Sequence, residues 1–357
     1  MKEALPPVGP SLASRLVWMR PLIGLAVVLL LFSWLLSRRG ELDTFLGLGN
    51  LQLLLHVNSV AAVLALGMLL VIVSGGIDLS VGSVVALVSV VAMQTYQVVY
   101  GGAADFGSGY HPVVESWGGT QSIALASLAA VAAGVLAGGL CGLANGLMVT
   151  RLRIAPFVAT LGMLSVARGL ALWLAGRRPI TFSAASQPGW VTRLQTARAA
   201  DTLFDPGVWS VLALAGLVAV LLRYTVFGRY CYAIGSNEAT ARLCGVSVPR
   251  TKVGVYVLAG LLAGWAGVLT FAHGSSGNPN AGVGLELIVI AAVVIGGASL
   301  NGGQGGVFGT LVGVLIWGII DNGVGFFNAD VEVKYVLIGV FFIVNTALSQ
   351  WQRRRAG

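Results

Sequence analysis

Ser74-Gly75-Gly76-Ile77-Asp78-Leu79-Ser80-Val81-Gly82 separates two long apolar runs, Leu53–Val73 before it and residues 80–98 after it. Glycine pairs tolerate positive φ, so the stretch is a helix break. Asp78 and Ser80 are placed to accept hydrogen bonds from the free amides that open the next helix. Asp78 is also an ionisable group beside lipid, the residue type that marks ion or proton sites. Its context favours capping of a gate-proximal break, with a direct role as the alternative.

The surrounding chain explains why such a break needs attention. Of 357 residues, 57% are hydrophobic and 10% charged, far from the ~25% charged of an ordinary globular domain. Runs such as Leu22–Leu36, Leu53–Val73 and Val253–Phe271 are long enough as helices to cross roughly 30 Å of hydrocarbon. Repeated runs exclude a signal peptide as their explanation. The 50 glycines suit close helix packing in lipid, and the apolar content excludes Gly-rich disorder.

The expected fold is all-α: a polytopic transmembrane bundle of about ten helices, at 21–37, 52–73, 80–98, 122–149, 155–175, 207–222, 253–272, 285–297, 306–320 and 333–350. Residues 1–20 form an N-terminal tail, 21–350 the membrane domain, 223–252 a loop within it, and 351–357 a basic tail. The span at 285–297 is short and runs into Gly296-Gly297 and Gly302–Gly306, the pattern of a broken or re-entrant piece. With both termini cytoplasmic, thirteen cations lie inside, among them Arg223, Arg229, Arg242, Arg250 and Lys252, against six outside. That bias follows the positive-inside rule. Scattered basic residues of this kind do not form a nucleic-acid patch. No GxxxxGK[ST] phosphate loop occurs, so ATP hydrolysis cannot belong to this chain.

SGGIDLSVG resembles the signature of permeases for ribose, xylose, galactose and related sugars in ATP-binding cassette importers. Similar agreement continues in Gly142-Leu143-Ala144-Asn145-Gly146-Leu147, in residues 154–162 with Arg168-Gly169, in residues 290–303, and in Gly309-Thr310, Gly313 and Asp321-Asn322-Gly323. The resemblance implies a non-catalytic subunit in a bacterial inner membrane, embedded in lipid and paired with a second copy or a paralogue. A soluble sugar-binding protein would deliver a monosaccharide to the outer face, including the loop from Arg177 to Pro206. A separate ATPase subunit would bind ATP and magnesium, leaving no cofactor or metal on this chain.

Within 223–252, residues 237–243 carry helix-compatible Glu, Ala, Arg and Leu, and Gly245 can close that helix in a left-handed cap. The resemblance makes Asn237, Glu238, Ala239, Arg242 and Gly245 the coupling helix that docks on the ATPase. Two departures stand out: Ala239 occupies the place where such importers carry Glu, with Glu238 displaced by one, and Ile288 stands where the family segment has Asp.

Candidates for the substrate pathway are Asn58, Asp78, Gln94, Asn145, Arg168 and Trp173, with Gly75, Gly76, Gly296 and Gly297 as helix breaks or gates. Interhelical hydrogen bonding is the plainer role for the amides, and snorkelling for Arg168. Glu286 is expected at an outer helix start, where a carboxylate suits the helix dipole. His56, His111 and His273 are isolated in sequence, and Cys141, Cys231 and Cys244 have no metal-ligand spacing. Broken helices also mark ion-coupled secondary transporters of small polar solutes, which need carboxylates or a sodium site at mid-depth. An intramembrane enzyme would need GxSxG or HExxH, and neither occurs.

Overall fold

Apolar helices in lipid gain little from hiding hydrophobic surface, so they associate where small residues let backbones approach. The computed structural model describes residues 12–100, 122–182 and 204–327, with isolated positions 336 and 339. Its helices are α1 (Leu12–Ser37), α2 (Leu42–Leu46), α3 (Leu48–Val73), α4 (Val81–Tyr100), α5 (Ile123–Thr150), α6 (Pro156–Leu174) and α7 (Pro206–Tyr224). They continue with α8 (Val226–Ser236), α9 (Glu238–Leu243), α10 (Val248–Gly274), α11 (Leu285–Ile295) and α12 (Val307–Gly325). Seven of them, α3 to α7, α10 and α12, are long and apolar enough to cross a membrane. Residues 21–37 of α1 and all of α11 form shorter apolar helices.

Helices α3, α4 and α10 fill the buried centre. Glycines on α5 recur every four residues, at 134, 138, 142 and 146, and face α10 running the other way. A Cβ on Gly138 would strike the backbone of Gly260 and Gly264, one on Gly142 the carbonyl of Tyr256, and one on Gly146 the Cα of Val253. On further faces of α10, Gly267 abuts Val85 and Val88 of α4, and Gly67 of α3 abuts Ala259. The two-residue strands β1 (Ile180–Thr181) and β2 (Ser276–Gly277) pair antiparallel beyond the ends of α6 and α10.

Nine of the ten expected spans coincide with described helices; the tenth, at 333–350, and the tail at 351–357 lie outside the described residues apart from positions 336 and 339. Three differences have local causes. α1 begins at Leu12 and carries Pro21 inside it, so the helix enters the expected tail. α10 begins five residues early because Pro249 sits in its first turn, where proline's missing N–H costs nothing. The loop at 223–252 is mostly helical, since Thr225 caps α8 by accepting from the Gly228 amide.

Gly142→Val should break the α5–α10 seam, because its side chain meets backbone that cannot yield. Overpacking of this kind costs about 1–3 kcal/mol or more. The variant should lose the monodisperse peak on detergent size exclusion, whereas Gly216→Val, with open space around it, should keep it.

Candidate functional site

The break at residues 74–80 is held from several helices. Asp78 Oδ1 accepts from the Ser80 backbone N–H (2.8 Å) and from Ser80 Oγ (2.6 Å). Asn145 Nδ2 of α5 donates to Ser80 Oγ at 3.0 Å and to Asp78 Oδ2 at 3.5 Å. Thr160 Oγ1 of α6 donates to the Ile77 carbonyl, and the Tyr256 hydroxyl of α10 lies over Gly76. Asp78 therefore accepts from the residue just ahead of α4, not from an amide within it. Asp78, Ser80 and Asn145 are all buried, and a charge so placed needs such donors. Asn145 Oδ1 and Tyr256 Oη have no hydrogen-bond partner among the described residues.

Gly75 takes φ +80° and Gly302 φ +88°. A Cβ on Gly302 would meet the Cα atoms of Gly75 and Gly235, so the breaks after α3, α8 and α11 converge. The Gly303 N–H donates to the Val73 carbonyl at 2.9 Å, and Tyr232 Oη donates to the Gly305 carbonyl at 2.9 Å. Gly296 meets the backbone of Gly309 on α12, and Gly297 adopts φ +97°.

The other pathway candidates do not join this cluster. Asn58 is buried against Gly318 and donates to the Leu54 carbonyl. Gln94 Nε2 ties α4 to the Leu174 carbonyl at the end of α6. Trp173 is 64% exposed on α6. Arg168 Nη1 donates to the carbonyls of Pro279 (2.7 Å) and Ala281 (2.8 Å), clasping the segment that leads into α11. Glu286 sits in the first turn of α11, the helix start expected for it, and its carboxylate lies against Gly82 in the first turn of α4, beside the Gly282 carbonyl.

α9 is a six-residue helix, too short to persist alone. Asn237 Oδ1 caps it by accepting from the Thr240 N–H at 3.0 Å, and Gly245 follows with φ +82°. Glu238 receives Lys252 Nζ of α10 at 2.7 Å and Arg242 at 3.0 Å. Ile234, Ala241 and Val248 form a small apolar seat beneath. Ala239 and Arg242 face solvent, as does Leu243, which is 88% exposed.

One association has no signature in the sequence. His56 Nδ1 lies 2.8 Å from Asp205 Oδ2, and His56 Nε2 lies 2.8 Å from His273 Nδ1, linking α3, α7 and α10. The two His56 nitrogens point to different partners, so the set offers no shared chelation point. No group of three or more such side chains among the described residues can hold a metal ion. His111 lies outside the described residues, as does most of the loop before Pro206.

Many apolar helices around broken, hydrogen-bonded polar segments define a polytopic membrane protein with the architecture of a translocation bundle. The chain belongs to the family described as branched-chain amino acid transport system / permease component, whose model matches residues 50–346. It is 34% identical over 300 residues to the ribose import permease protein RbsC of Escherichia coli (strain K12), covering 84% of this chain and 85% of that one. RbsC of Bacillus subtilis (strain 168) is 35% identical over 334 residues, 92% of each chain. The L-arabinose ABC transporter permease protein AraH of Azospirillum brasilense is 32% identical over 360 residues, 98% of this chain and 93% of that one. No solved structure matches.

Asn145→Ala should remove the donor that reaches Asp78 from another helix and destabilise the bundle by about 1–3 kcal/mol, read as a lower unfolding temperature in detergent. In an Asp78→Asn background the loss should shrink, because the uncompensated charge is gone. At α9, hydrogen bonding from the Lys252 ammonium, with Arg242 adding to it, holds the Glu238 carboxyl below its usual range. A depressed folded value means the pair stabilises α9 above the unfolded pKa and loses that contribution as pH falls through the folded one. Amide exchange protection at 238–243 should stay level across neutral pH and drop only in acid; Lys252→Met should lower it at pH 7.

Proposed function

We propose that this chain is the membrane-spanning permease subunit of an ATP-binding cassette importer for a monosaccharide in a bacterial inner membrane. The observation that carries this reading is α9: a capped, ion-paired six-residue helix that offers Ala239, Arg242 and the exposed Leu243 to a partner. An apolar tip on a short fixed helix suits a groove in another protein. Relatives named for ribose and arabinose support a sugar as the cargo. ATP and magnesium belong on a separate ATPase subunit, and a soluble binding protein delivers the sugar to the opposite face. A second permease copy or a paralogue completes the pathway within the lipid.

In this scheme the end carrying Arg223–Lys252 is cytoplasmic, and nucleotide-driven closure pushes on α9. Glu238 and Lys252 pass that displacement to α10, whose Tyr256 lies one turn on and overlies Gly76. The break at Gly75-Gly76 and the turn at Gly296-Gly297 provide hinge positions, and Asn58, Asp78, Gln94, Asn145, Arg168 and Trp173 supply polar and aromatic groups along the route. Buried Asp78 is the one observation favouring an ion-coupled carrier of a small polar solute instead.

Co-expression with candidate ATPase subunits separates the two readings. The wild-type chain should retain an ATPase through detergent purification, and Gly245→Pro or deletion of 237–243 should lose it. Sugar uptake into liposomes driven by an ion gradient, with no ATPase bound under any condition, would establish the carrier.

A further inference from the structure

An ionisable side chain at membrane depth is costly unless it is paired or faces water. Two half-buried residues of opposite charge, Glu286 and Arg168, form no ion pair with each other among the described residues. α5 is 28 residues long, about 42 Å at 1.5 Å per residue. Gly134, near its middle, faces Val88 of α4, so Gly82, six residues back along α4, also lies within the central part of the span. Against Gly82 rests the half-buried carboxylate of Glu286, engaged by no hydrogen bond or ion pair among the described residues. Arg168, also half-buried, is fastened to Pro279 and Ala281, the residues that lead into Gly282 at the same contact with Gly82, yet no ion pair among the described residues joins it to Glu286. Its Nη1 is taken by the Pro279 and Ala281 carbonyls, and no hydrogen bond among the described residues engages its remaining guanidinium donors.

We infer that Glu286 and Arg168 flank a hydrated position at mid-depth that binds a neutral polyol. The chemistry selects that class. A carboxylate only accepts and a guanidinium only donates, so together they match vicinal hydroxyls, one donating to Glu286 and the next accepting from Arg168. A bare cation is repelled by Arg168, an anion by Glu286, and an apolar solute would strip water from both. Backbone carbonyls fix the guanidinium, so it is oriented before any ligand arrives. Helix-dipole stabilisation alone would account for a charge at the start of α11, but not for a guanidinium clasped beside it.

This site rests on the permease reading, and thiol labelling tests it without ATPase turnover. In a background with Cys141→Ala, Cys231→Ala and Cys244→Ser, Glu286→Cys is compared with Leu287→Cys, a 65% exposed apolar neighbour, in proteoliposomes. A charged, membrane-impermeant methanethiosulfonate should modify position 286 about tenfold faster or more, since a water-exposed thiol ionises and reacts and a lipid-facing one does not. Saturating D-ribose, D-fructose or L-arabinose should slow that labelling several-fold. Glu286→Gln, purified at wild-type yield, should lower sugar uptake by the assembled importer roughly tenfold or more, as expected when a charged hydrogen-bond partner is lost. Labelling no faster than at Leu287, labelling that none of the three sugars slows, or Glu286→Gln uptake within about twofold of wild type, below the loss of a charged hydrogen bond, would each overturn the site. Failure of the permease reading has a different signature: wild-type chain that binds no ATPase.

Discussion

The bundle depends on one close approach, the glycine seam between α5 and α10. Lipid tails are as apolar as leucine, so two helices gain by touching only if their backbones come close enough for dispersion to exceed what lipid offers. Gly138, Gly142 and Gly146 meet Gly260, Gly264, Tyr256 and Val253 with no room for a Cβ. This contact fixes the rotation and height of α10. Because α10 presents Gly67's partner Ala259 to α3 and Gly267 to α4, it sets the depth of both helices that flank the break at 74–80. Tyr256 then stands over Gly76 and Asn145 beside Ser80 without either side chain choosing its own position.

Interrupting helices in a membrane exposes backbone groups that water cannot satisfy. Here the interruptions satisfy one another. Gly303 donates to the last carbonyl of α3, Tyr232 of α8 donates to Gly305, and Gly75, Gly235 and Gly302 pack Cα against Cα. Three chain reversals thus form one contact at the end of the bundle that also carries α9. A displacement of α9 cannot be absorbed in a loose loop, since Lys252 binds its first residue to α10 and the apolar seat of Ile234, Ala241 and Val248 joins α8, α9 and α10.

What could be read from the sequence was what neighbours along the chain decide. The spans follow from apolar length, the break from Gly75-Gly76, the α9 start from Asn237, and its end from Gly245. Registry between helices was not legible. Asp78 and Asn145 are 67 residues apart and meet only because the glycine seam slides α5 to the right height. Arg168 lay inside an expected span, and nothing nearby announced that its partners would be carbonyls more than a hundred residues on. Glu286 is read at a helix start on its fit to the helix dipole, and it does sit in the first turn of α11, but the packing of residues 275–284 ahead of it is not legible. Their glycines let the chain press inward, with Gly277 against Ser89, Val90 and Met93 and Gly282 against Gly82. The His56, Asp205 and His273 set had no readable spacing at all, since each residue comes from a different helix.

Asp78 and Glu286 are treated differently, and the difference bears on where the energy for transport enters. Asp78 has both oxygens bonded by Ser80 and Asn145, from its own break and from α5. An acid locked this way holds the break together, and releasing it for a coupling ion would undo the bonds that keep the helix ends satisfied. Glu286 is less enclosed, but Arg168, held by the Pro279 and Ala281 carbonyls just ahead of α11, makes a poor neighbour for a cation. Neither acid is placed as the exchangeable ion site that gradient-driven transport requires. A bundle whose charged groups organise backbone, and whose most exposed large apolar residue among the described residues sits at the tip of α9, suits movement by a partner better than movement by an ion.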